Sequence, residues 1–222
     1  MREIENVPTQ GSDKPQQPVT IVDCGELPAD YVVEESNAPD KYGDTYADFP
    51  EDAGEEDKEF TAAEIVDIAS KVKEYGTAAL KAGDLKGASK KYAKALRYLN
   101  EDPDLEKATA EEKEALRKLR YALNANSALV ASKSGDHATA VKHAGFALDV
   151  EGLTPQEKAK ALFRRAQAKV ALKDDEEALE DLQEAQKLVP EDGLVVKEIA
   201  AVKHRKAERL KREQKVFAKF FE

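Results

Sequence analysis

In the stretch KALFRRAQAK, Lys160 to Lys169, Lys160 and Arg164 stand four residues apart and Arg165 follows directly. Residues four apart share one face of a helix, so Lys160 and Arg164 point together and Arg165 points elsewhere. Lys73 and Thr77 repeat that spacing, and Asn126 lies between the two pairs in the chain. An ammonium, a guanidinium, a hydroxyl and an amide gathered in one place would hold a carboxylate by charge-assisted hydrogen bonds, each worth roughly 1.5–3 kcal/mol. The chemistry expected of these side chains is binding rather than bond-making. No nucleophile stands at motif spacing from a base, and no glycine-rich phosphate loop is present. Three scattered histidines and the single Cys24 offer neither metal-ligand spacing nor an internal disulfide. No catalytic residue, cofactor or metal is therefore expected.

Helices must position these residues, and from Thr61 onward the chain reads as helical, with apolar or small residues at three- and four-residue spacing. Thr61 with Glu64 three later predicts a capping box at the first helix start. The region then repeats itself. A small residue, a step of twelve and a step of seven give Gly76, Ala88 and Ala95; Ala128, Ala140 and Ala147; and Ala166, Ala178 and Ala185. Each unit has a turn near its middle, in AGDL, SGDH and LKDD, as expected of two helices crossing where only a small side chain fits. Successive units start 52 and then 38 residues apart. Against a period of about 34, the first gap holds an insertion of about 18, NEDPDLEKATAEEKEALRKL, which longer helices would absorb. The second holds about 4, for which EGLT before Pro155 is a natural loop.

Stacked helix pairs form a groove lined by the first helix of each pair, so residues at equal offsets converge there. Lys73 lies three before Gly76 and Thr77 one after it; Lys160 and Arg164 lie six and two before Ala166. Asn126, two before Ala128, is the counterpart of Arg164, whereas Asn124 lacks that offset. Tyr75, Tyr92, Tyr98, Tyr121 and Phe163 are expected in core or groove packing, and His137, His143 and His204 at the surface.

These units resemble tetratricopeptide repeats, most closely in YGTAALKAGDLKGASKKYAKAL and ALFRRAQAKVALKDDEEALEDLQEAQKLVPED, with Tyr92 and Pro190 at the motif's aromatic and proline places. With IENVPTQGSDKPQQPVTIVDCGEL, DFPEDA and KVFAKFF added, nearly the whole chain resembles the C-terminal part of the forty-kilodalton cyclophilin family, peptidyl-prolyl cis-trans isomerase D. The resemblance implies an all-α fold of three repeats and a capping helix, and a co-chaperone role in protein folding. It implies a clamp of Lys and Asn on the first repeat, Asn on the second, and Lys and Arg on the third. That clamp grips the C-terminal Glu-Glu-Val-Asp of the ninety-kilodalton heat-shock chaperone, and other acidic-tailed chaperones are partners of the same kind. Carried over, its positions are Lys73, Thr77, Asn126, Lys160 and Arg164, with Thr77 departing from the Asn of the pattern. The resemblance also implies an upstream isomerase domain, of which only a last strand is expected here, leaving this chain without that activity. Cys24 would have faced the interior of that domain's barrel.

The expected organisation is a remnant of that domain over 1–26, an acidic linker over 27–60, repeats over 61–192 (69–102, 121–154 and 159–192), and a basic helix over 193–222. QPVTIVDCGEL reads as one strand with no convincing partner. The linker is expected to stay mobile or drape over the next domain, and its acids to compete for the groove. Val195, Ile199 and Val202 continue an apolar stripe that would cap the last repeat. Beyond it, residues 203–221, with Leu210, Val216, Phe217, Phe220 and Phe221, suit calmodulin, an acidic client or a membrane surface. The formal charge of −10 averages this basic tail with the acidic linker, which argues against nucleic acid. No run approaches the eighteen apolar residues of a membrane span, and the N-terminus lacks a signal-peptide core, so the cytoplasm is expected, with the nucleus as the second compartment.

Overall fold

The computed structural model describes residues 4, 7–11, 14–26, 39–53, 59–101 and 105–220, without the side chains of 213 and 215–220. The chain divides into two units, 1–35 and 36–222. In the first, two short strands, β1 (Thr9–Gln10) and β2 (Lys14–Pro15), pair antiparallel. The strand expected over QPVTIVDCGEL does not form over its described residues 17–26. Val19, Ile21 and Val22 stand 45%, 86% and 93% exposed. The physical reason is the one that makes a lone strand unstable: β-branched residues favour an extended chain, but their amides need a partner strand.

The second unit is helical: α1 (Ala62–Lys81), α2 (Leu85–Leu99), α3 (Ala110–Lys133), α4 (His137–Leu148), α5 (Pro155–Leu172), α6 (Asp175–Leu188) and α7 (Gly193–Phe220). Each packs on the next in chain order, and α1 also packs on α3. Thr61 and Glu64 form the expected capping box, and Thr109 with Glu112 and Thr154 with Glu157 form two more. Each of α1, α3 and α5 thus starts with two end amides satisfied by its own capping side chains. The second half of the insertion between the first two units forms the start of the 24-residue α3, four residues longer than α1; residues 102–104 lie outside the described residues.

All nine small residues of the repeating ruler are buried, and Gly76 lies against the facing helix of its pair. A Cβ there would sit 2.7 Å from Cε1 of Tyr92, whose ring is fully buried. Val195, Ile199 and Val202 of α7 join the core of the last repeat at 2%, 7% and 0% exposure, so α7 caps that repeat. Lys206 and Arg209 reinforce the cap through Glu176 (2.8 Å) and Asp175 (3.0 Å) of α6.

The turns between paired helices use one backbone solution. Gly83 and Gly135 have φ of 80° and 82°, while in the third repeat Lys173 adopts φ 72°. A side chain in the left-handed region costs about 1–2 kcal/mol, partly offset by glycine's greater unfolded-state entropy. Lys173→Gly should therefore stabilise the protein by about 0.5–1 kcal/mol, read as a higher urea midpoint. An unchanged or lower midpoint would count against strain at this turn.

Residues 39–53 of the acidic linker drape over the first repeat. Asp44 is buried between Lys91 and Lys94 of α2, and Tyr42 donates to Asp84 at 3.0 Å. Lys71 and Tyr75, which this segment approaches with Tyr46 and Gly43, lie about half a turn around α1 from Lys73 and Thr77. The expectation that the linker's acids sit at the groove therefore fails for the described part. Residues 27–38 and 54–58 lie outside the described residues.

Candidate peptide-binding groove

Five cations project from α5, and the structure sorts them by face. Arg165 grips Asp181 of α6 through two bonds of 2.9 and 2.6 Å, Lys169 reaches the same carboxylate at 3.0 Å, and Lys158 pairs with Glu184 at 2.6 Å. Lys160 and Arg164 have no carboxylate partner among the described residues, nor does Lys73 on α1. Arg164 instead donates from Nη1 to the backbone carbonyl of Ala125 on α3, which draws it beside Asn126. Tyr121 of α3 makes a second bridge, donating to the Glu157 carbonyl at 2.9 Å.

Uncompensated charge shows in the protonation equilibria. Burial, and then the Arg164 charge, push the Lys160 ammonium below its usual range. Burial pushes the Arg164 guanidinium down as well, and the Tyr121 and Tyr92 phenols offset part of the shift. Both shifts disfavour the cations as they stand, and a bound anion would reverse that.

On α1, the Thr77 hydroxyl donates to the Lys73 carbonyl at 2.9 Å and lies 3.3 Å from the Tyr92 hydroxyl. Its proton is thus engaged by its own helix, so Thr77 offers a ligand less than the expected single donor. Tyr92 of α2 thus backs Thr77 within the first repeat. On α3, Asn124 is buried, its amide nitrogen donating to the Arg120 carbonyl at 3.0 Å and its oxygen 3.1 Å from His143 Nδ1. That leaves the half-exposed Asn126 as the amide with unused bonding capacity. His143, expected at the surface, is half-buried, and burial holds its imidazole below the usual value. Cys24 is exposed.

Sequence spacing finds Lys73, Thr77, Asn126, Lys160 and Arg164; it misses the Ala125 carbonyl that anchors Arg164 and the Tyr92 phenol behind Thr77. Two clefts among the described residues, of about 710 and 280 Å³, are lined by none of the five. Among the described residues there is no metal-ligating cluster, and no helix is long and apolar enough to cross a membrane.

No protein-family model matches the chain. Over its whole length it is 40% identical to Peptidyl-prolyl cis-trans isomerase D of Cryptococcus neoformans var. neoformans serotype D, covering 61% of that protein. It is 34% identical to the protein of the same name from Mycosarcoma maydis, covering 60% of it. The chain thus spans about three fifths of the length of these curated relatives. Among solved structures, the C-terminal TPR-containing domain of a Plasmodium falciparum FK506-binding protein superposes with a TM-score of 0.59 at 24% identity, over 68% of this chain and 97% of that one. The first TPR of Spaghetti bound to the HSP90 peptide SRMEEVD gives 0.50 at 22% identity, over 63% of this chain and 93% of that one. These likenesses establish the fold as tetratricopeptide repeats.

Proposed function

We propose that the chain, which over its whole length is a relative of part of the peptidyl-prolyl cis-trans isomerase D proteins and has a tetratricopeptide-repeat fold, is a co-chaperone-type peptide-binding module. Its ligand is an acidic C-terminal peptide of the Glu-Glu-Val-Asp type that ends the ninety-kilodalton heat-shock chaperone. The observation that carries this reading is the sorting of cations on α5: three are neutralised by α6, and the two at the predicted offsets have no carboxylate partner among the described residues. The fold neighbour bound to an HSP90 peptide ending in EEVD supports the same ligand class.

In this reading Lys73, Asn126, Lys160 and Arg164 hold the carboxylates of the terminal aspartate. Thr77 shapes the floor with Tyr92 and contributes little hydrogen bonding of its own. The whole protein would join this module to a prolyl isomerase domain.

Calorimetric titration tests the proposal. A peptide ending in Glu-Glu-Val-Asp should bind in the micromolar range, about −8 kcal/mol. The same peptide with its C-terminal carboxylate amidated should bind at least about tenfold more weakly, having lost a charge-assisted bond. Equal affinities for the two peptides would sink the reading.

A further inference from the structure

The segment draped over the first repeat is held in a way that differs from the rest of the fold. Three consecutive carbonyls are bound by side chains of α2: Tyr46 by Lys94, Ala47 by the Tyr98 hydroxyl at 3.0 Å, and Asp48 by Arg97 Nε at 2.8 Å. Asp44 supplies the buried charge, accepting from Lys91 and from Lys94, the latter at 2.9 Å, while Asp40 reaches Lys91 at 2.7 Å. Phe49 lies under the Arg97 guanidinium, 4.3 Å from it. Main-chain carbonyls read by side-chain donors, with one acidic and one aromatic anchor, are how a protein holds a peptide.

The segment also keeps its own shape. The Asp40 carboxylate accepts from the amides of Tyr42 (2.8 Å) and Asp44 (3.0 Å), and that of Asp44 accepts from the Tyr46 amide at 3.0 Å. Lifted away, it would leave behind a stripe of Lys91, Lys94, Arg97 and Tyr98 on one face of α2. That face is made for an acidic, aromatic-bearing peptide. Burial alone would raise the Asp44 carboxyl, but the bonds from Lys91 and Lys94 outweigh it and hold it below the usual range.

We propose that the outer face of α2 is a second peptide site, separate from the groove, that binds an acidic segment of another protein carrying an aspartate five residues before a phenylalanine, and that residues 40–49 close it in cis. The chain's own segment defines the chemistry of the partner: a carboxylate for Lys91 and Lys94, three accessible carbonyls, and a ring for Arg97.

The test uses the full chain and a fluorescent synthetic peptide of residues 39–53. Wild type should bind it weakly, because the tethered segment competes at an effective concentration in the millimolar range. A variant carrying Asp44→Asn and Tyr46→Ala, with wild-type helicity, should bind at least tenfold more tightly. Adding Lys94→Ala should remove that gain, and a peptide ending in Glu-Glu-Val-Asp should not displace the label. A folded variant that binds no better than wild type, or a gain that survives Lys94→Ala, overturns the proposal, as does displacement by the groove peptide. A concentration-dependent dimer of wild type, dissolved by the peptide, would assign the site to a second copy and overturn the choice of partner. Hydrogen exchange of wild type decides the matter even if the variant fails to fold: amides 42–48 should exchange well before those of α2. Exchange at the same rate would make the segment part of the core.

Discussion

Arg164→Ala is expected to weaken binding of a peptide ending in Glu-Glu-Val-Asp by roughly 10- to 150-fold, the loss of one charged contact worth about 1.5–3 kcal/mol. Arg164 has no carboxylate partner among the described residues, and its guanidinium is held toward α3 by the Ala125 carbonyl. Arg165→Ala is the internal control. Arg165 is committed to Asp181, which is 4% exposed, so its loss should leave peptide affinity within about twofold. Stability should fall instead, by about 1–2 kcal/mol, less than for a fully broken buried pair because Lys169 still reaches Asp181 at 3.0 Å. Adjacent arginines on one helix would then fail in different assays, one in calorimetric titration and the other in urea unfolding. If both variants lost affinity alike, the division of α5 into a binding face and a packing face would be wrong.

Tyr92→Ala should cost about 3–5 kcal/mol of stability, as for other large aromatic truncations in a core, because the ring is fully buried against Gly76. Gly76 makes the argument sharper. In an ordinary helix Gly→Ala stabilises by about 1 kcal/mol. Here the new Cβ would meet Tyr92 carbons at 2.7 and 2.8 Å, and overpacking of that kind costs about 1–3 kcal/mol. Gly76→Ala should thus be neutral to destabilising by about 2 kcal/mol in wild type, and stabilising by about 1 kcal/mol once Tyr92 is alanine. A double-mutant cycle in urea reads this reversal directly. Additive effects would mean that the close approach does not limit the helix spacing.

What the sequence made legible follows from the range of the interactions concerned. The crossing points were readable, because nine small residues on a twelve-then-seven ruler report a short-range steric rule, and all nine are buried. Lys160 and Arg164 were separable from Arg165 by helical geometry alone. Their lack of acid partners was not readable, because it depends on where α6 places Asp181 and Glu184. That the linker would drape was one of two expectations, but where it docks was not readable, for a similar reason: Asp44 finds Lys91 and Lys94 across 47 and 50 residues, and no periodicity announces such a pairing. The strand expectation failed because composition speaks for an extended chain and says nothing about a neighbour to pair with. Thr109 and Glu112 spell a helix start inside the insertion as clearly as Thr61 and Glu64 do in the first unit.

Those three capping boxes bear on how the groove is addressed. A helix N-terminus carries about half a positive charge and attracts anions without help from any side chain. On α1, α3 and α5 a glutamate of the chain already occupies that end: Glu64, Glu112 and Glu157. An incoming carboxylate therefore finds the helix tips neutralised, and the attractive potential confined to mid-helix side chains. Its resting place along the groove is written in residues that can be exchanged singly, so the ligand preference of this scaffold can drift or be redirected while the helices that carry it stay as they are.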